Sequence, residues 1–183
     1  MENKTVLIAG VALIAGLVLG YTFAPRMPGN NMGMGNVDAH FIEQMIPHHE
    51  GAIEMAELAL ERSKDERVRT LSQEIIDAQT DEIGKMQQWY QEWFDRAPTE
   101  SMGHGGMHMQ GMEGDVDALQ AASDFDREFI AQMIVHHEMA VMMAQMLESG
   151  TSRTEMKELA KNIVSSQTRE IETMRDWLSV WPQ

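Results

Sequence analysis

Between residues 41 and 59 the chain sets its inward-type positions at 41, 45, 49, 52, 56 and 59, steps of three and four that line one face of an α-helix. A second run at 71, 75, 79, 83, 86 and 93 keeps the same period. Between the runs, Ser63 with Glu66 three residues later reads as a capping box that starts the second helix. The two-helix pattern then returns. A constant offset aligns residues 38–95 with 126–183 without a gap. It pairs Phe41 with Phe129, Met45 with Met133, His48 and His49 with His136 and His137, and Met55 with Met143. In the second helix of each copy it pairs Gln79 with Gln167, Glu82 with Glu170, Met86 with Met174, and Trp89 and Trp93 with Trp177 and Trp181. In the second copy Gly150 should end one helix and Ser152 with Glu155 should start the next.

Short connections make the two helices of each copy antiparallel neighbours. Two hairpins with one apolar face each bury those faces most simply against one another, so the pattern predicts an all-α fold, a four-helix bundle. Pro47 removes a backbone donor inside the first helix, which predicts a kink beside the histidines; Val135 occupies the matching position of the second copy.

Outside the repeat the pattern changes. Residues 5–24, TVLIAGVALIAGLVLGYTFA, carry no charge, and twenty residues of helix reach roughly 30 Å, the thickness of a bilayer core. This N-terminal hydrophobic helix, within residues 1–25, reads as a transmembrane anchor or a cleaved signal peptide, and either places the body outside the cytoplasm. Residues 26–36 form a flexible Met-rich segment, and residues 37–183 the bundle. Within the bundle, hairpin 37–95 joins hairpin 123–183 through a flexible linker, 96–122. A linker selected only for flexibility would use Ser and Gly. This one carries Met102, His104, Met107, His108, Met109 and Met112, donors suited to auxiliary metal capture.

Composition narrows the chemistry. A net charge of −15 argues against nucleic acid as a partner and would concentrate cations instead. Without a single Cys, disulfides and thiolate metal sites are excluded, while 18 Met residues supply thioethers, soft ligands whose metal binding involves no proton. On a helical wheel with Met45 pointing inward, His49 falls about 40° to one side and His48 about 60° to the other, with Ala52 and Ala56 near the centre. Gln79 and Met86 face inward from the partner helix, with Glu82 at its flank. A single inward Met is usually a space filler, and a single inward His is usually hydrogen-bonded. Four buried imidazoles in one small domain need something to satisfy them.

The candidate metal ligands are therefore Met45, His48, His49, Met55 and Met86 in the first copy, and Met133, His136, His137, Met143 and Met174 in the second. Gln79, Glu82, Gln167 and Glu170 stand as supporting polar partners. Residues three before the histidines are Met or Ile, not the Glu of a di-iron Glu-x-x-His site. Zinc makes little use of thioethers. Met with His favours Cu(I), with Ag(I) as its mimic. Imidazole must be neutral to ligate, so affinity should weaken as pH falls through the histidine range.

The motif M-I-x-H-H-x-x-A-x-x-M-A at 45–56 and 133–144, with Q-T-x-E-I-x-x-M-x-x-W at 79–89 and 167–177, resembles the domain of unknown function 305 family. The resemblance spans residues 37–183. It implies a ferritin-like bundle and a relationship to extracytoplasmic copper- and silver-binding metallochaperones of the CopM type. By position it points to the same Met, His, Gln and Glu residues. The resulting expectation is a non-enzymatic, extracytoplasmic Cu(I)/Ag(I)-binding protein acting in buffering, resistance or delivery. A copper-transport or copper-accepting protein would be its partner, and residues 5–24 would give it contact with the membrane. The rival readings are a ferritin-like metal-dependent oxidase and a metal-free structural or partner-binding bundle.

Overall fold

The apolar periodicity of the first copy becomes two long helices, α1 (Met34–Arg62) and α2 (Glu66–Phe94). The second copy forms α4 (Phe125–Gly150) and α5 (Thr154–Val180), and a short helix, α3 (Val116–Ala121), precedes it. The computed structural model describes residues 34–98 and 114–181. The expected N-terminal hydrophobic helix, the Met-rich segment up to residue 33 and the donors from Met102 to Met112 lie outside the described residues. Among the described residues the fold is all-α, and no helix is long and apolar enough to cross a membrane.

Within each hairpin the helices run antiparallel, as contacts between distant residues require. His49 and Tyr90 of the first hairpin reach Glu82 and Glu43, and His137 of the second reaches Glu170. The hairpins join through α1 and α4, where fully buried Ala52, Ala56, Ala140 and Ala144 present little side-chain bulk and let the backbones approach. The outer helices α2 and α5 stand farther apart, with a groove of about 610 Å³ between them.

Two apolar clusters fill the interior. One gathers Ile42, Met45, Met86, Tyr90, Leu147, Met156 and Ile163; the other gathers Met55, Val68, Ile75, Phe129, Met133, Ile171 and Met174. On each long helix buried polar residues fall between the positions given to these clusters: His48 and His49, Gln79, His136 and His137, and Gln167; Asp38 and Ser72, also buried, lie outside those intervals. A polar layer therefore crosses the middle of an otherwise apolar core.

The helix ends depart from the expected capping boxes. Asp65, not Ser63, caps α2, its Oδ1 accepting from the Arg67 N–H at 2.9 Å. Ser63 acts one step earlier, accepting from the Asp65 N–H at 3.2 Å. Thr151, the counterpart of Ser63, accepts from the Arg153 N–H at 3.1 Å, and exposed Ser152 caps nothing. Both hydroxyls sit two residues before the N-cap and form the short side-chain turn that Ser and Thr favour there. Arg153 instead crosses to the other hairpin, pairing with buried Asp38 at 3.1 Å and lying 4.0 Å over the Trp93 ring. Gly150 does end α4, and α1 continues through Pro47 to Arg62.

The span expected to be a flexible linker ends in packed structure. Asp115 caps α3 through the Ala118 N–H at 2.8 Å, and Leu119 is fully buried. Just before it, Gly114 has φ 76°, and a Cβ there would lie 2.4 Å from the Met55 sulfur. Only glycine lets the backbone lie so close over Met55.

Candidate metal centre

All four imidazoles enter the polar layer because α1 and α4 cross at their His-His pairs. His48 and His136 are 2% exposed, and His49 and His137 are fully buried. The His48 and His136 rings meet across the interface with centroids 3.7 Å apart, tilted by 42°. His49 and His137 lie farther out, 6.3 and 6.4 Å from their chain neighbours.

Each outer imidazole is oriented by a carboxylate from its own hairpin. His49 Nε2 lies 2.7 Å from Glu82 Oε2, and His137 Nε2 lies 2.6 Å from Glu170 Oε2. An ionised carboxylate only accepts, so Nε2 must donate, and in the neutral ring the lone pair then belongs to Nδ1. Both Nδ1 atoms are buried without a hydrogen-bond partner. So are both ring nitrogens of His48 and of His136, and Oε1 of Gln79 and Gln167. Leaving a buried polar atom unsatisfied costs about 1–3 kcal/mol, so eight in one layer are a large expense for a fold with no other use for them.

Burial also determines the charge state. It pushes the His48 imidazole from its usual 6.5 down to about 3, with His49 and His137 adding repulsion. Burial likewise takes His136 to about 2, reinforced by His48, His137 and His49. Both rings are thus neutral well below neutral pH, the form that carries a ligating lone pair.

Not every candidate reaches this layer. Met45 and Met86 pack fully buried in one flanking apolar cluster, and Met133 and Met174 in the other. On their helices Met45 and Met133 stand one turn before the His-His pairs, so they share a helix face with them. Met55 is buried beneath Gly114. Met143, another candidate, is half-buried and lines a groove with His40 and Met146, residues the sequence reading passed over. No spacing signal marks that groove, because His40 and Met146 lie on different helices and only packing brings them together. Among the described residues no group of three or more His, Cys, Asp or Glu is arranged to hold a metal ion.

Comparison with known proteins finds relatives of the same fold. The pattern of the family described as Domain of unknown function (DUF305) matches residues 38–178. The structure of CopM in the Cu(II)-bound form is 46% identical, with a TM-score of 0.75, and the match covers 79% of this chain and 97% of that one. CopM in the Cu(I)-bound form is 44% identical, with a TM-score of 0.72 over 80% of this chain and 98% of the other. A DUF305 fragment from Deinococcus radiodurans is 29% identical, with a TM-score of 0.69 over 79% and 97%. An uncharacterised protein of Acanthamoeba polyphaga mimivirus is 41% identical over 49 residues, 27% of this chain and 32% of that protein. With its family pattern matched across most of its length, the chain belongs to the DUF305 family.

Proposed function

We propose that the protein binds Cu(I), and Ag(I) as its mimic, in the polar layer of a four-helix bundle, and that it buffers copper or hands it on outside the cytoplasm. The observation that carries this reading is the pair of His48 and His136 rings, 3.7 Å apart, buried, and without a partner on any nitrogen. The likeness to CopM structures with copper or silver bound supports the choice of ion.

In this reading the ion takes imidazole nitrogens from among His48, His49, His136 and His137, no more than two at once as the rings stand, and thioethers from among Met45, Met86, Met133 and Met174 of the flanking clusters. Glu82 and Glu170 keep Nδ1 of the outer rings free for metal, as carboxylates behind ligating histidines commonly do. Imidazole with thioether prefers soft monovalent ions over zinc, calcium or magnesium. The protein's task is to retain and release the ion, and no catalytic step is assigned to it. The uncharged segment 5–24 supports placement outside the cytoplasm.

The test is anaerobic Cu(I) titration of the full chain against a strong competing chelator. His49→Gln with His137→Gln removes two imidazoles but keeps polar groups in their place. Met45→Leu with Met133→Leu nearly conserves volume, a kind of swap that usually costs under about 1.5 kcal/mol. Both double variants are expected to keep helix content and lose tight copper. Full retention of tight copper by both would sink the reading.

A further inference from the structure

The two copies differ in what covers their second methionine. Met55 is fully buried, and the backbone at Gly114 lies across its sulfur. Among the described residues its counterpart Met143 is only half-buried. It lines an open groove of about 460 Å³ between the start of α1 and the end of α4, where His40, Gln44 and Met146 join it over Phe41 and Leu147. The donors at this end are not echoed at the other. Glu128 stands where a copy of His40 would be, and Leu58 where a copy of Met146 would be.

Packing does not account for His40 and Met146. Met146 is 66% exposed, so its thioether gains little from burial, and His40 is exposed as well. A surface helix position of this kind ordinarily takes a charged or short polar residue. One imidazole and two thioethers facing a common groove are instead a soft-donor set, matched to Cu(I) or Ag(I) and poorly matched to hard divalent ions. Met143 also packs against the apolar cluster that contains Met45 and Met86, so its sulfur stands between solvent and the interior thioethers.

We propose that His40, Met143 and Met146 form a second, solvent-facing site for a monovalent soft metal ion, separate from the buried histidine layer. Its open side makes it the faster-exchanging of the two. The site stands on its own donors and does not require the buried layer to bind metal.

The experiment is anaerobic Ag(I) titration of the full chain carrying ¹³C-methyl methionine, with the methyl signals assigned by single Met→Leu substitutions. The Met143 and Met146 methyls should shift, and the His40 ring signals should move with them. In the triple variant His40→Gln, Met143→Leu, Met146→Leu, one equivalent of silver should be lost in equilibrium dialysis, while the shifts of Met45 and Met133 remain. Met143 and Met146 methyls that stay in place at silver saturation would overturn the proposal. Movement of those two with Met45 and Met133 unmoved would uphold it and count against the buried layer, so the two readings fail separately.

Discussion

At the scale of single residues, Glu82 and Glu170 each orient one buried imidazole of the polar layer. Each fixes a tautomer by accepting from Nε2. Glu82→Gln with Glu170→Gln keeps the shape but lets the amide oxygen accept or the amide nitrogen donate, so Nδ1 is no longer reserved as the bare nitrogen. We expect the double variant to fold with unchanged helix content and to bind Cu(I) about 10–100-fold more weakly, the usual effect of losing such a partner. Copper competition titrations beside circular dichroism would check this, and unchanged affinity would remove both carboxylates from the site. Much of this layer was legible in the sequence. The wheel that set Met45 inward placed His48 and His49 on either side of it, and all three are buried. What no wheel could show is that His48 meets His136 while His49 turns to Glu82 and away from that contact. Those contacts depend on how α1 crosses α4, and a one-dimensional pattern carries no crossing geometry.

At the scale of elements, periodicity located the long helices but misplaced their caps. Ser63-x-x-Glu66 has the letters of a capping box, yet Asp65 is nearer to the first free N–H groups and takes the role. Side-chain competition over three residues is settled by local geometry that spacing alone does not encode. Helix α3 was missed for a different reason. Six residues are too few to show a period, and of the six only Leu119 is fully buried. The approach to α3 offers a sharp test at Gly114. Its left-handed φ costs an L-residue roughly 1–2 kcal/mol, and an alanine Cβ would also press on the Met55 sulfur. Gly114→Ala should therefore lower unfolding free energy by at least about 1 kcal/mol in urea titration. Gly84 is the control, since a Cβ there meets nothing within 4 Å; Gly84→Ala in mid-α2 should be neutral or stabilising. Equal stability of parent and Gly114→Ala would mean that the backbone over Met55 is free to move aside.

At the scale of the whole molecule, the buried imidazoles of the polar layer make stability depend on pH. His48 and His136 titrate near 6.5 when the chain is unfolded but near 3 and 2 when it is folded. Their folded pKa values are depressed, so below pH 6.5 the unfolded chain binds protons that the folded one refuses. Stability of the metal-free protein should thus be fullest above pH 6.5 and fall as the pH drops toward 3. The limiting slope is about 1.4 kcal/mol per pH unit for each ring. The groups facing these rings are His49 and His137, each engaged with Glu82 or Glu170, so between pH 6.5 and 5 the slope should come mainly from the layer itself. This also shifts the pH effect anticipated from ordinary histidines. In the folded protein the two inner rings stay neutral through that window, so their copper affinity should hold until the fold itself weakens. His48→Leu with His136→Leu isolates the effect. It replaces two poorly satisfied polar rings with apolar groups, a change that can be neutral or stabilising. The metal-free double variant should be at least as stable as the parent at pH 7, lose most of the slope between pH 6.5 and 5, and bind no tight Cu(I). Urea unfolding at several pH values, read beside copper competition, measures all three. A variant less stable than the parent and equally sensitive to acid would show that the layer is structural, and that the bare nitrogens are satisfied in solution by something other than metal.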